Sequence, residues 1–261
     1  LAIAATQGYA SCRRTIRQGI FVTDIETQLR DAQRAKRIAL PEAAAKSILA
    51  AYGIAVPRSA IIATPDDAGA AVSELQSPFA AKLISPEASH KSDIGGVKIN
   101  LASSEAVRVA CREIAESAAA HDVAVEGFLV EEMAPPGTEV VIGGIIDDCF
   151  GPAVMFGLGG IFVELLEDVA FRLCPIEEID AREMVDEIRA SAVLKGTRGR
   201  PPVSEDAIVQ ALLRLGGKDG LFLAHAGLIR EIDVNPLIVS SSGAVAADAR
   251  IILAERQVSN D

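Results

Sequence analysis

The stretch Arg230-Glu231-Ile232-Asp233-Val234-Asn235-Pro236 alternates polar and apolar residues, the mark of a strand that buries one face. Ile232 and Val234 go to one side, while Glu231, Asp233 and Asn235 line the other as three oxygen donors in a row. Ser241-Ser242-Gly243 then reads as a turn, and if the chain folds back there as a hairpin, opposed residues have numbers summing to about 483 or 484. Asp248 falls opposite Asn235 or Pro236. Hard oxygens converging in this way, too few for a full protein cage, suit Mg²⁺ shared between protein and nucleotide phosphates. The plain alternative is the acidic solvent face of an antiparallel strand.

Upstream of this hairpin the chain alternates helices and strands. Pro41 to Tyr52 reads as a helix closed by Gly53, Ser59 to Ala63 as a strand, and Thr64 as the cap of a helix with Pro65, Asp66 and Asp67 in its first turn. Phe79 to Ile84 and Val97 to Leu101 read as strands around a polar loop, Ser104 to His121 as a helix, and Gly127 to Met133 as a strand that runs into Ala134-Pro135-Pro136-Gly137. That Pro/Gly cluster is the expected boundary between a lobe of residues 41–133 and a lobe of residues 134–261. Strands over Thr138 to Ile146, Pro152 to Phe156 and Phe171 to Cys174 follow, with helices near 180–192 and 204–216. Recurring hairpin-like pairs favour two α+β lobes over a doubly wound parallel sheet, with a ligand cleft between them. Residues 1–40 stand apart as a basic arm or linker helix, Thr23 to Glu26 resembling a capping box; this segment is either a solvated helix or a docking surface.

Composition removes several classes of function. The 261 residues are 50% hydrophobic with 36 acidic against 25 basic side chains, a net charge of −11, so neither a disordered chain nor a general nucleic-acid binder is expected. The longest uncharged stretch, Cys149 to Val163, is too short to cross a membrane. The four cysteines are scattered without a C-x-x-C pair, which suggests neither a zinc site nor a disulfide framework and makes the cytoplasm the default location. The chain opens on Leu1 and reads as part of something longer.

Three further features carry potential chemistry. Lys82 is the single charge in Phe79-Ala80-Ala81-Lys82-Leu83-Ile84 and needs a partner: a ligand phosphate, or water at a strand edge reached by a stem lying on apolar surface. The loop Ser89-His90-Lys91-Ser92-Asp93-Ile94-Gly95-Gly96 sets an imidazole beside an ammonium and two glycines, a composition suited to an anion, although a lone loop histidine is more often simply solvated. Gly157-Leu158-Gly159-Gly160 is either a phosphate cradle of backbone N–H groups or a tight turn. No dinucleotide fingerprint and no P-loop is present, since Gly217-Lys218 is followed by Asp219. Glu131-Glu132-Met133 ends a strand at the expected boundary, where exposed backbone and a carboxylate could read an adenine edge.

Taken in order, these pieces resemble a known family. From Leu40 to about Leu253 the chain is similar to the ATP-grasp subunit or domain of NDP-forming acyl-CoA synthetases, the ADP-forming acetate–CoA ligases, relatives of the succinyl-CoA synthetase β subunit. The motifs that carry this are Ala50-Ala51-Tyr52-Gly53-Ile54-Ala55-Val56-Pro57, the Ser89 to Lys98 loop, Met155-Phe156-Gly157-Leu158-Gly159-Gly160-Ile161-Phe162-Val163-Glu164, and Asp233-Val234-Asn235-Pro236 followed by Asp248-Ala249-Arg250. The resemblance implies an ATP-grasp fold. It implies that Lys82 holds nucleotide phosphate, that Glu131, Glu132 and Met133 form the adenine hinge, that Glu139 lies in the nucleotide cleft and that Asn235 and Asp248 bind Mg²⁺, beside Asp233. It further implies that His90 is a phosphorylatable histidine passing a phosphoryl group between a partner's phosphohistidine and ADP. The family reaction is acyl-CoA + ADP + phosphate to carboxylic acid + CoA + ATP, with the CoA-binding and ligase chemistry on a separate module, fused upstream or carried by an α-type subunit. ATP or ADP and Mg²⁺ are the implied cofactors; the oligomeric state and the acyl substrate stay open. Two other readings share the fold: a regulatory domain fused to an acyltransferase, and an ATP-grasp carboxylate–amine ligase, which would leave His90 without a task.

Overall fold

A computed structural model describes residues 22–85, 91–159, 168–196 and 201–255. Its strands form two sheets. The smaller has the order β1-β4-β2-β3, from β1 (Ser59–Ile62), β2 (Phe79–Ile84), β3 (Val97–Leu101) and β4 (Gly127–Glu132). The larger runs β10-β8-β5-β6-β7, from β5 (Thr138–Asp147), β6 (Gly151–Leu158), β7 (Val169–Leu173), β8 (Ile229–Ser240) and β10 (Arg250–Leu253), with β9 (Gly243–Ala246) paired to β8. Among the described residues every strand pair in both sheets is antiparallel.

The small sheet is covered on one face by the helix Ser104–Ala120, whose Val107, Ala110, Cys111, Ile114 and Ala118 recur at helical spacing and are fully enclosed with Phe79, Leu83 and Phe128. Ser103 caps that helix by accepting from the Ala106 N–H at 3.2 Å. Thr64 precedes the turn as expected, its N–H and hydroxyl both donating to Asp67 Oδ2 at 3.1 and 2.9 Å, but it opens a 3₁₀ turn, Pro65–Asp67, before a short helix, Ala68–Val72. The large sheet packs its Val140, Ile142, Val154, Phe156, Ile232 and Val234 against the helices Glu178–Glu187 and Glu205–Gly216 and against a short helix, Leu221–Ala224, that the sequence pattern did not suggest.

The N-terminal helices differ from expectation. The first, α1 (Val22–Arg34), begins before Thr23, so Thr23 lies inside it and not at its cap. It is also no detached arm, because Ile25 and Leu29 are buried in the core of the large sheet, where their apolar spacing of four residues lets both face the same way. The second, α2 (Glu42–Ala51), has Pro41 as its N-cap instead of its first helical residue, and ends at Gly53, whose φ of +82° is the left-handed conformation that glycine adopts without strain. Its Ala45, Ile48 and Leu49 join the large sheet's core as well. Residues 25–54 thus pack with strands that follow them by more than eighty positions. The expected break at 133/134 falls between the last strand of the small sheet and the first of the large one.

The closing hairpin keeps one register from its turn as far as Ile252 opposite Glu231, and shifts by one at Leu253. Ser240 is opposite Gly243 and Leu237 opposite Ala246, and after a break at residues 247–249 Arg250 is opposite Asp233, all pairs with numbers summing to 483. Across the break, the Ala247 N–H donates to the Pro236 carbonyl at 2.9 Å. The interruption leaves the Ala247 carbonyl and the Asp248 side chain outside the ladder.

Candidate functional site

The Ala247 carbonyl marks where the two sheets meet. Lys82 projects from β2, which is an interior strand with all six residues buried, so the edge-strand alternative does not apply. Its ammonium donates to Ala247 O at 2.8 Å and to Glu42 Oε1 at 2.6 Å, and lies 3.0 Å from Glu131 Oε2. Lys46, one turn beyond Glu42 on α2, donates to both Glu131 oxygens at 2.8 Å and to Ala247 O at 2.6 Å, and lies 2.9 Å from Glu42 Oε1. Lys91 donates to Glu42 Oε2 at 2.9 Å. Four charged side chains, Glu42, Lys46, Lys82 and Glu131, are each at least nine-tenths buried. They join α2, the small sheet and the break in the large sheet's hairpin.

Isolated charges at such depth would be prohibitive, and here they compensate one another. Burial alone would push the Glu42 carboxyl up, but Lys46, Lys82 and Lys91 overcome it and hold it far below the usual range. Burial would pull the Lys82 ammonium down, whereas Glu42, Glu131 and Asp248 together hold it well above the ordinary lysine value. Lys82 thus carries its charge at any physiological pH.

Asp248 borders this cluster. Burial pushes its carboxyl up, with Glu42 adding to the effect and the three lysines opposing it, and its Oδ1 accepts from the Ala249 N–H at 2.7 Å. Asp233 is also raised, to about 6, by burial and by the neighbouring charges of Glu231 and Asp248, against Arg250. The acidic face of β8 is real: Ile232 and Val234 are enclosed, Glu231 and Asp233 half-buried and Asn235 exposed. Asp233, raised by burial and by its acidic neighbours, is short of positive charge, which a divalent cation would supply. Among the described residues, no three His, Cys, Asp or Glu side chains are placed to hold a metal by themselves. Such a cation at Asp233, Asn235 and Asp248 would therefore need ligand oxygens as well, and this donor set fits Mg²⁺ shared with phosphates.

Other expected contacts are corrected by the structure. Glu131 is enclosed and engaged by two lysines, so its carboxylate is not offered to an adenine edge. The N–H groups of Glu132 and Met133 are already donated, to Arg58 O and Pro78 O at 2.9 Å each, and the Glu132 side chain accepts from the Gln76 N–H and from Arg58. Gly157 is not in a turn but inside β6, between β5 and β7, where a Cβ would come within 2.9 Å of Val169. The Gly159 N–H is donated to Glu139 O at 2.8 Å, so neither glycine presents a phosphate cradle. The Glu139 side chain is exposed. His90 and Gly160 lie outside the described residues. An open depression of about 550 Å³ lined by Tyr52, Gly53, Arg214 and Lys218 holds none of the expected site residues.

Glu42 and Lys46 were missed by sequence reasoning, and Lys91 was noted only as a neighbour of His90. A signal was there: Glu42 and Lys46 are four apart in Glu42-Ala43-Ala44-Ala45-Lys46, two charges in a run of alanines, on the helix face that also carries the buried Ala45 and Leu49.

Comparison with known proteins gives consistent findings. A family model described as an ATP-grasp domain matches residues 31–253. The ADP-forming acetate–CoA ligase I subunit beta of Pyrococcus furiosus is 43% identical over 222 residues, covering 84% of this chain and 94% of its own. Among solved structures, the dinucleotide forming acetyl-coenzyme A synthetase 1 of Ca. Korarchaeum cryptofilum, in complex with coenzyme A, Ca-AMPCP and HgCl⁺, superposes with a TM-score of 0.83 at 43% identity, over 87% of this chain and 99% of that one. The same enzyme with coenzyme A and Mg-AMPPCP, its phosphohistidine segment pointing towards the nucleotide binding site, gives a TM-score of 0.76 at 42% identity, over 88% and 100%.

Proposed function

This chain belongs to the ATP-grasp domain family, together with the β subunits of ADP-forming acetate–CoA ligases, and from that membership we propose how its residues share the work of the ligase's nucleotide half. The observation that carries the reading is the meeting of Lys82 with the Ala247 carbonyl, one residue from Asp248. A buried, charged ammonium lies near the Asp248 carboxylate where the two sheets join, and Asp233, pushed up by burial and its acidic neighbours, lies on the adjoining strand. That pairing is what a polyphosphate with a divalent cation requires.

In this reading Lys82 binds a nucleotide phosphate, and Asp233, Asn235 and Asp248 would hold Mg²⁺, which when bound neutralises phosphate charge. His90 is the relay. Once phosphorylated, its N–P bond breaks as a terminal oxygen of ADP forms the new P–O bond; ATP leaves and the imidazole regains a proton from solvent. Lys91, the next residue along the chain, reaches Glu42 in the charge cluster, which gives the relay position a cationic neighbour in sequence. The relatives' β-subunit names support a separate α-type partner that supplies the phosphoryl group through its own phosphohistidine and carries the CoA and acyl chemistry. Alone, the chain binds nucleotide and makes no acyl-CoA.

Reconstitution with an α subunit of an ADP-forming acetate–CoA ligase tests the assignment. Formation of ATP from acetyl-CoA, ADP and phosphate is expected, together with an acid-labile, base-stable phosphoryl label on this chain that His90→Ala abolishes. A native chain that folds, pairs with the α subunit and acquires no label, or a His90→Ala chain as active as native, contradicts it.

A further inference from the structure

The Glu42 carboxylate is where three ammonium groups meet. Its Oε1 accepts from Lys82 at 2.6 Å and lies 2.9 Å from Lys46, while its Oε2 accepts from Lys91 at 2.9 Å. An anion embraced by three ammoniums in a nearly closed site is also the description of a bound phosphate. We propose that Glu42 is a resident counter-anion, which occupies Lys82 and Lys91 in the nucleotide-free chain and competes with the nucleotide's phosphate for them. The inference rests on the reading of Lys82 as the phosphate lysine.

The geometry singles out Glu42 as the partner that yields. Lys82 has three N–H donors and three oxygens within 3.0 Å, from Glu42, Ala247 and Glu131, so a phosphate oxygen must displace one of them. Ala247 O is main chain and is also held by Lys46 at 2.6 Å. Glu131 is chelated by Lys46 through both oxygens and is 2% exposed. Glu42 differs in that its second oxygen is held only by Lys91, the most exposed of the three lysines. Its bond to Lys91 lies on the open side of the cluster, where the Lys91 side chain is 19% exposed against 4% for Lys46. On releasing Lys82 and Lys91, Glu42 keeps Lys46 one helical turn away and the positive end of α2, of which it is the first residue. The carboxylate therefore has a place to remain, and two freed ammoniums face the incoming anion.

The competition sets affinity: each phosphate contact with Lys82 is made at the expense of an existing ion pair. Removing the carboxylate's charge should tighten phosphate binding selectively. Calorimetric titration of the full chain with Mg-ADP, and with adenosine as a ligand without phosphate, separates the effects. Glu42→Gln is expected to bind ADP roughly tenfold more tightly than native, with adenosine unchanged. Should the glutamine variant fail to fold, Glu42→Asp withdraws the carboxylate by ~1.5 Å while keeping the charge for Lys46, and a smaller shift in the same direction is expected. A native chain that binds no ADP overturns the reading of Lys82 and this inference with it. Native binding together with folded Glu42 variants of equal or weaker ADP affinity, or with adenosine shifted in parallel, overturns the inference alone.

Discussion

Lys46 Nζ lies 2.8 Å from both carboxylate oxygens of Glu131, a residue 85 positions further along the chain, and this contact ties α2 to the second strand in the small sheet's order. Because both partners are enclosed, neither can turn to water if the other is removed. Lys46→Met should cost about 3–5 kcal/mol of stability, whereas the double substitution Lys46→Met with Glu131→Met should recover part of that loss. A double-mutant cycle by urea denaturation checks it; additive costs would show that the pair is not coupled.

Glu42 carries a pH signature. Its folded-state carboxyl is held below the ordinary value of 4.5 by the three lysines, so its contribution to stability is present above that pH and is lost as pH falls towards the folded value. Glu42→Gln should therefore be less stable than native at pH 7, and the difference should narrow steadily as pH falls below about 4.5. Thermal melts of both chains between pH 7 and pH 3 provide the check; a constant offset would contradict it.

The glycine substitutions separate structure from ligand binding. A methyl at Gly157 would sit 2.9 Å from the Val169 Cγ1 and 3.1 Å from the Asp168 carbonyl, between two strands. Gly157→Ala should cost about 1–3 kcal/mol, with ADP affinity measured on the folded variant changed by less than about twofold. A large loss of affinity without loss of stability would restore the glycine as a phosphate contact.

The first helix offers a test of its own. Leu29 is fully enclosed in the large core, so Leu29→Ala should destabilise the chain by about 2–5 kcal/mol, measured by chemical denaturation. A solvated arm would show almost none of this.

Much of the fold was legible because the residues obeyed short periods. Strict alternation gave β8 its faces, Phe79 to Ile84 matched β2 residue for residue, and the hairpin turn at Ser241 to Gly243 set a register that Arg250 and Asp233 still keep after the break. The burial of α1 was not legible, since a few apolar residues among many charges do not reveal which surface will cover them. Lys82 stands out as a charge in an apolar strand, but its carboxylate partners come from 40 residues before it and 49 after it, and its carbonyl partner from 165 after it. Glu42 and Glu131 each look like ordinary surface glutamates until α2 is laid against β4. The glycine run misled for a related reason, because glycine serves a tight turn and a crowded strand equally well, and only the position of Val169 decides between them.

The most direct test of the nucleotide site is an equilibrium titration of Mg-ADP against the native chain and against Lys82→Gln, each shown to be folded by its thermal melt. Native chain should saturate at a single site, and Lys82→Gln should bind at least about tenfold more weakly, since a charge-assisted bond to phosphate is lost. Equal affinity in the two chains, or no saturation of the native chain at millimolar ADP, would contradict the placing of the nucleotide's phosphate at Lys82.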